Sequence, residues 1–577
     1  MHLLKKISVY LKPYAGFIAL AFLLIVIRVA GELSLPNLMS DIVDRGIANS
    51  DMPYIWKMGG VMLVVAVIST AAIILMDFFG SKISAGFARD VRKSVFHKVQ
   101  TLSNAEFDAL GSSSLITRTI NDITQLQNFL TMFIRIIIMC PLFMVGSIVM
   151  AFSKDASMAA IFLALVPFLL AVIIIVSKIA LPLSTVIQRK VDRINLVVRE
   201  KLMGIRVIRA FNKDAFEEAR FDDANRDLTQ TMIRLQSVAS VMMPAMSTIL
   251  NCGTIALVWI GAGRISGGAL QVGDLMAVLQ YVMHVMMSLV MLSMIFIMYP
   301  RAEASAKRIT EILDTAPSIC DGKGDVRETE KGVVEFKNVS FYYGNAETAA
   351  LKNISFRTKP GCVTAIIGST GSGKSTLVNL IPRLYDATEG EVLVDDVNVK
   401  NYSQQALRDK IGFVPQKAVL FSGSVKSNIL WGRENASEEE IEQAAQTAQA
   451  ADFITAKEDG YNAHIAQGGT NVSGGQKQRL AIARAIVKKP EIYVFDDSFS
   501  ALDFKTDAKL RAALAEQTKE STVIIVAQRV STIMHADTIL VMDEGELVGC
   551  GTHQELFDGC AVYREIVLSQ LSKEEMA

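Results

Sequence analysis

Two short stretches hold the residues whose types and spacing could do chemistry. Val363-Thr-Ala-Ile-Ile367 is an apolar, strand-like run that leads directly into Gly368, Ser369, Thr370, Gly371, Ser372, Gly373, Lys374, Ser375 and Thr376. This is the spacing G-x-x-x-x-G-K-S between a strand and a helix. Its glycines let backbone N–H groups wrap phosphates, Lys374 can reach the terminal phosphates, and the Ser375 hydroxyl can ligate Mg²⁺. The second stretch, Tyr493-Val-Phe-Asp-Asp-Ser-Phe-Ser-Ala-Leu-Asp503, runs an apolar strand into Asp496 and Asp497. Asp496 fits an acid that holds the metal through its water shell. The residue after it, Asp497, is a second carboxylate at the strand's end.

These stretches belong to a chain too long for one ordinary core. At 577 residues, 51% of them apolar and with zero net charge, the chain reads as a membrane portion joined to a soluble one. The absence of a basic excess removes the case for nucleic acid as a partner. Six cysteines (Cys140, Cys252, Cys320, Cys362, Cys550 and Cys560) lack zinc or disulfide-framework spacing and read as reduced thiols. Met-His-Leu-Leu-Lys-Lys precedes a long apolar run with no small-residue cleavage pattern, so no removable signal peptide is expected.

Runs free of Asp, Glu, Lys and Arg occur at Tyr14–Ile27, Met58–Met76, Ile136–Ser153, Ala156–Ser177, Leu235–Gly263 and Leu275–Pro300. Six spanning helices are expected, most reaching the roughly 20 residues that a bilayer core requires. The first can continue towards Met39 if Arg28 and Glu32, at i,i+4 spacing, offset each other. The connections between spans two and three and between four and five are long and basic, with Lys82, Arg89, Arg92, Lys93 and Lys98 in one and Arg189, Lys190, Arg193, Arg199, Lys201, Arg206 and Arg209 in the other. The positive-inside bias places them, both termini and the C-terminal half in the cytoplasm. Their helix-forming composition extends the membrane helices into the cytosol, with bends at Glu106-Phe107-Asp108 and Asp214-Ala-Phe216-Glu217. The expected organisation is a membrane domain over residues 1–310, a polar linker over 311–332, and an α/β domain over 333–577 in which short Val/Ile-rich strands alternate with helices.

Between the two chemical stretches lies Asn471-Val472-Ser473-Gly474-Gly475-Gln476, and with it the chain resembles an ATP-binding cassette (ABC) transporter. Val472 to Gln476 is similar to the family's signature motif, with Val in place of the usual Leu. The resemblance continues through Gln416 (Q-loop), Tyr343 (the aromatic that stacks on adenine) and Ser500-Ala-Leu-Asp503 (D-loop), and covers essentially the whole chain. It implies an exporter half-transporter: six membrane helices of the type I/IV exporter fold ahead of a P-loop NTPase domain, working as a dimer. ATP would bind through Tyr343, residues Gly368 to Thr376, Gln416 and, from the other chain, Ser473, Gly474, Gly475 and Gln476. Mg²⁺ would be held by Ser375, Gln416 and Asp496. Phe107 and Phe216 would sit in the coupling helices, or be ordinary packing in amphipathic helices.

Two departures from the family pattern touch the same γ-phosphate. Asp497 stands where the family has the Glu that polarises the attacking water, and Gln528 stands where it has the switch His. Losing one methylene draws a carboxylate back, and a neutral amide carries neither a proton nor a positive charge. Displacing a catalytic base costs about 10²- to 10⁴-fold in rate, so a site that binds ATP tightly and turns it over slowly is expected. The bland alternative is a conservative swap with full activity. A third departure, Gln467 in place of a common Glu, fits altered cross-talk to the coupling helices. With Ser473 and Gly475 intact, the resemblance implies a heterodimer, in which this signature completes a homologous partner's catalytic site. Methionines in the last span (Met276, Met283, Met286, Met287, Met291, Met294 and Met298), with Gln280 and His284, suit varied apolar cargo. They equally suit lipid-facing filler. The leading reading is ATP-driven export of amphipathic drugs or xenobiotics across the cell membrane; lipid or peptide export, or a regulatory ATP-gated subunit, are the alternatives.

Overall fold

The structure is a computed structural model that describes residues 8–293, 295–322, 331–344 and 346–570. Lys5 and Lys6, Met294 and residues 323–330 of the polar linker lie outside the described residues. Packing divides the chain into two compact units, Met1–Gln100 with Gly111–Thr315, and Thr101–Leu110 with Ala316–Ala577. This differs from the expected boundaries in two places. The short stretch around Glu106-Phe107-Asp108 belongs with the second unit, and the first extends past residue 310.

Among the described residues of the first unit, six helical stretches are long and apolar enough to cross a membrane: Ser8–Ile47, Met52–Thr101, Ser112–Lys154, Ala156–Ala210, Asp214–Ser266 and Val272–Leu292. Five of the expected runs fall inside one of them; the last overruns its span into a further helix, Ile295–Asp314. That helix continues beyond Arg301 because Ala302, Ala306, Ile309 and Ile312 recur at helical spacing and are buried. Arg308 and Ser305 on it both bond the buried Asp122 carboxylate. The helices of 50 and 55 residues, at about 1.5 Å per residue, far exceed the roughly 30 Å of a hydrocarbon core, as the helix-forming connections predict.

The second bend is displaced from its expected position. The reversal lies at Phe211-Asn212-Lys213, where Asn212 takes φ +54°, and Asp214 opens the next helix. Asn tolerates the left-handed conformation, while Asp214 and Glu217 complement the dipole of the helix's first turn. Phe216 lies in that turn and is exposed. In the membrane-type spans, Arg28 Nε donates to Glu32 Oε1 at 3.3 Å, and Asp77 pairs with Arg135 at 2.8 Å. On the sixth span Met276, Gln280, Met283, Met287 and Met291 form one exposed stripe, whereas Met286 is buried on the other face.

The described residues of the second unit form two large sheets and a two-stranded one, Gly423–Ser424 with His464–Ile465. One of the large sheets is antiparallel, in the order Leu351–Arg357, Val334–Phe341, Glu389–Val394, Val397–Asn398. The other has six strands, in the order Glu546–Gly551, Thr538–Asp543, Val363–Gly368, Thr522–Val526, Ile492–Asp496, Ile411–Val414, with only Glu546–Gly551 antiparallel to its neighbour. The strand Thr522–Val526 is buried at every position, as Val/Ile-rich strands covered on both faces require. It separates the two strands that carry the chemical stretches. Ligands of such sheets bind beyond the carboxyl ends of the strands, and it is there that the candidate residues meet.

Candidate nucleotide-binding site

The loop after Val363–Gly368 closes on its own lysine. Lys374 Nζ donates to the carbonyl oxygens of Gly368 at 2.8 Å and Ser369 at 2.6 Å, with the Ser372 hydroxyl at 3.4 Å. Gly371 and Gly373 take φ of +88° and +94°, and a Cβ on Gly373 would lie 2.7 Å from the Ala350 carbonyl, so a side chain there is excluded twice. Burial lowers the Lys374 pKa against the pull of Asp497 and Asp496. The ammonium is thus a preformed, partly desolvated cation held by backbone carbonyls, a donor whose acceptors phosphate oxygens can replace.

Ser375 and Thr376 open the helix Lys374–Leu380. Ser375 Oγ donates to Asp496 Oδ1 at 2.9 Å across the sheet. Burial pushes the Asp496 carboxyl up, with the Ser375 bond opposing, as it must for an acid that ends a strand buried at all five positions. A hydroxyl and a carboxylate oxygen this close, beside a second carboxylate, fit a hard divalent cation. Thr376 Oγ1 shares a hydrogen bond of 3.0 Å with the Tyr343 phenol, which leaves the Tyr343 ring 43% exposed over the loop's helix.

Asp497 has a different environment. Its backbone takes φ +46° and its N–H donates to the Val526 carbonyl at 3.0 Å, which turns the chain out of the sheet. Its Oδ2 accepts from Gln528 Nε2 at 2.7 Å and from Gln416 Nε2 at 3.4 Å. Burial raises its pKa, with the Gln416 and Ser500 contacts opposing. The acid at this position is therefore held by two amides, one from each neighbouring strand end. Gln416 follows Ile411–Val414, and Gln528 follows Thr522–Val526.

The signature residues form a separate surface of the same unit. Ser473 caps the helix Gly474–Lys488: its Oγ accepts from Gln476 N at 3.3 Å, and its N–H donates to Gln476 Oε1 at 2.9 Å. Gly475 lies under the loop Ser500–Asp503, where a Cβ would be 3.1 Å from the Ala501 carbonyl. Val472 fills a buried slot, while Ser473 and Gly474 are exposed. The structure brings Lys374, Ser375, Asp496, Asp497, Gln416 and Gln528 together, and leaves Ser473 bonded only to its own helix's first turn among the described residues.

One participant is absent from the sequence reading. Tyr385 packs edge-on against Tyr343, with ring centroids 5.5 Å apart, and its hydroxyl donates to Asp108 Oδ2 at 3.0 Å. Burial first, then the Asp108 hydrogen bond, pushes its phenol up to about 12. A lone Tyr 42 residues past Tyr343 gives no sequence signal, because only the packing of the two rings brings them together. The same short helix, Asn104–Leu110, is anchored by Ser103 Oγ, which accepts from Ile319 N at 3.0 Å.

Comparison with known proteins agrees with this architecture. The model for the ABC transporter transmembrane region matches residues 18–290, and the ABC transporter model matches residues 351–500. An uncharacterized ABC transporter ATP-binding protein of Mycobacterium tuberculosis is 39% identical over 573 residues, covering 98% of each chain. The chain belongs to the ABC transporter family. A second uncharacterized ABC transporter ATP-binding protein, from Bacillus subtilis strain 168, is 38% identical over 99% of each chain. The ATP-dependent lipid A-core flippase of Pseudomonas aeruginosa is 32% identical over 95% of this chain and 92% of its own. A solved bacterial Atm1-family ABC exporter with ATP bound superposes with a TM-score of 0.81 at 26% identity, covering 97% of this chain and 98% of that one. This ABC transporter is therefore a half-transporter of the exporter type, with one membrane domain ahead of one ATP-binding domain, and exporters of this family function as dimers. Its phosphate loop is an ABC ATPase loop, and the nucleotide it binds is ATP.

Proposed function

We propose that this chain is one half of a heterodimeric exporter and supplies the Walker residues of the slower of two ATP sites. The observation that carries this reading is the state of Asp497. The carboxylate at the catalytic position is the short one, and the Gln528 amide already occupies it at 2.7 Å. An oxygen so engaged is a poor acceptor for a water proton, and Gln528 cannot take that proton in its place.

The remaining parts of the site suit binding. Loop N–H groups and Lys374 hold the phosphates, and Tyr343 stacks on the adenine. Ser375, Gln416 and Asp496 would hold Mg²⁺, which would neutralise phosphate charge. Ser473, exposed at the start of its helix, and Gly475 behind it are offered to the ATP of a homologous partner whose own acid and switch residue are intact. Both termini face the cytoplasm of a cell that carries the protein in its plasma or inner membrane. The exposed methionine stripe of the sixth span supports an amphipathic small-molecule cargo, because thioethers repack around varied apolar shapes.

The test is the native mass of the complex, purified in mild detergent from its own membrane. One copy of this chain beside a different subunit of similar size is the expected result. Two identical copies would overturn the shared-site reading. A lipid cargo is the second reading, favoured by the 32% identity to lipid A-core flippases. ATP-dependent movement of labelled lipid in proteoliposomes, without movement of drug-like dyes, would select it.

A further inference from the structure

Three of the apolar helices meet at one polar cluster at mid-span, and its two charges lie on the first of them. Arg28 lies about 21 Å along its helix from Tyr14 and about 24 Å from Asp44, well inside the hydrophobic segment. His284 of the sixth span stacks on Phe143 of the third at 5.5 Å, and the Arg28 guanidinium lies 6.0 Å from the centre of the same Phe143 ring. The Tyr281 hydroxyl, one turn before His284, donates to the carbonyl of Leu33, next to Glu32. Arg28, Glu32, Phe143 and His284 therefore form one cluster.

The two charges of this cluster are not equivalent. Arg28 is turned inward, 16% exposed, with Nε on Glu32 Oε1 and Nη1 3.0 Å from the thioether of Met139. Glu32 is 31% exposed, and among the described residues no second donor reaches it. A single 3.3 Å contact through Nε leaves the carboxylate able to accept another donor, where a bidentate pair would not. His284 of the cluster lies at the edge of the exposed stripe of its own helix, with Met283 just before it and Met287 three residues on. Ionisable groups at this depth are costly, and a structural pair could be replaced by apolar residues without loss.

We propose that Glu32 is the charge-recognising residue of a cargo subsite for amphipathic monovalent organic cations, with Phe143, His284 and the methionine stripe as its apolar and polarizable walls. This rests on the reading of the chain as an exporter of amphipathic cargo and adds the sign of the cargo's charge. An anion would need Arg28, whose face is covered; a cation finds the exposed carboxylate, an aromatic face and thioethers.

Tetraphenylphosphonium and tetraphenylborate, matched in shape and opposite in charge, test it. The readout is the concentration of each ion that half-maximally stimulates ATP hydrolysis by the full complex in nanodiscs. Glu32→Gln is expected to raise that concentration about tenfold or more for the phosphonium, through loss of the opposite charge that faces it at low dielectric, and to leave the borate unchanged. Arg28→Gln, which frees Glu32, is expected to lower it for the phosphonium; this opposite shift keeps the proposal testable if Glu32→Gln does not fold. Equal shifts for both ions, or a shift for the borate alone, would overturn the proposal, as would a native complex that transports other amphiphiles and responds to neither ion. If the phosphonium stimulates through Glu32 but is not accumulated by inverted vesicles, the subsite stands and the export reading fails.

Discussion

The amide of Gln528 donates to Asp497 Oδ2 at 2.7 Å, so the two departures from the ABC pattern that fall at the γ-phosphate positions are bonded to each other. The pairing is possible because the strand carrying Gln528 lies between the strands carrying Lys374 and Asp497. It gives the slow-site reading a direct chemical test. In the complex, with the partner's site disabled, Asp497→Glu together with Gln528→His should raise phosphate release from this site by about 10²-fold, the lower bound for restoring a positioned base. A double variant no faster than the native chain would show that the acid does not limit turnover.

A shared-site exporter also ranks two other substitutions. Ser473→Ala, which touches the partner's ATP, should lower total ATP turnover of the complex at least tenfold, while Asp497→Asn should lower it less than about twofold. Steady-state hydrolysis at saturating ATP measures both. Equal losses would point to two equivalent sites.

Burial raises the Asp496 carboxyl above its ordinary range in the folded chain. A folded pKa above the unfolded one means that the native state binds the proton more tightly. Stability therefore falls as pH rises from the ordinary carboxylate range through the raised value, and stays lower above it. Asp496→Asn removes that loss. Without nucleotide at neutral pH, the variant's ATP-binding domain should melt about 2–4 °C higher than the native one. With Mg²⁺ and ATP the order should reverse, because the carboxylate is then used. Thermal scans with and without nucleotide across pH decide it.

The Tyr385 hydroxyl bonds Asp108, in the long connection after the second span, while its ring packs on Tyr343, the aromatic proposed to stack on adenine. Tyr385→Phe keeps the ring and removes the bond. ATP affinity should stay within about twofold, while cargo-stimulated hydrolysis and transport per ATP fall about threefold or more. Asp108→Asn, which can still accept, should show a smaller loss. A change in ATP affinity alone would make Tyr385 part of the nucleotide pocket and nothing more.

Much of this protein is legible in its sequence. Five of the six membrane-type helices follow from charge-free runs near or above the length a bilayer core requires, a one-dimensional property, and the first from a shorter run extended through the Arg28–Glu32 pair. The phosphate loop is equally local: Gly371, Gly373 and Lys374 act within nine consecutive residues, and their spacing alone dictates the backbone cradle. The second bend was misplaced by a few residues because an aromatic beside acids marks a helix start as readily as a turn, and it is Asn212 that takes the left-handed conformation.

What the sequence determined, then, is which residue types are present at each functional position, including the shortened acid Asp497 and the neutral Gln528. What only the tertiary structure decided is who their neighbours are. Gln416 lies 81 residues before Asp497 and Gln528 lies 31 after it, and the three meet because three parallel strands are adjacent in a fixed order. Tyr385 reaches a helix 277 residues earlier in the chain, and Arg28 shares a ring with His284 through Phe143. Such contacts depend on strand order and helix packing, which long-range burial selects and local spacing does not encode.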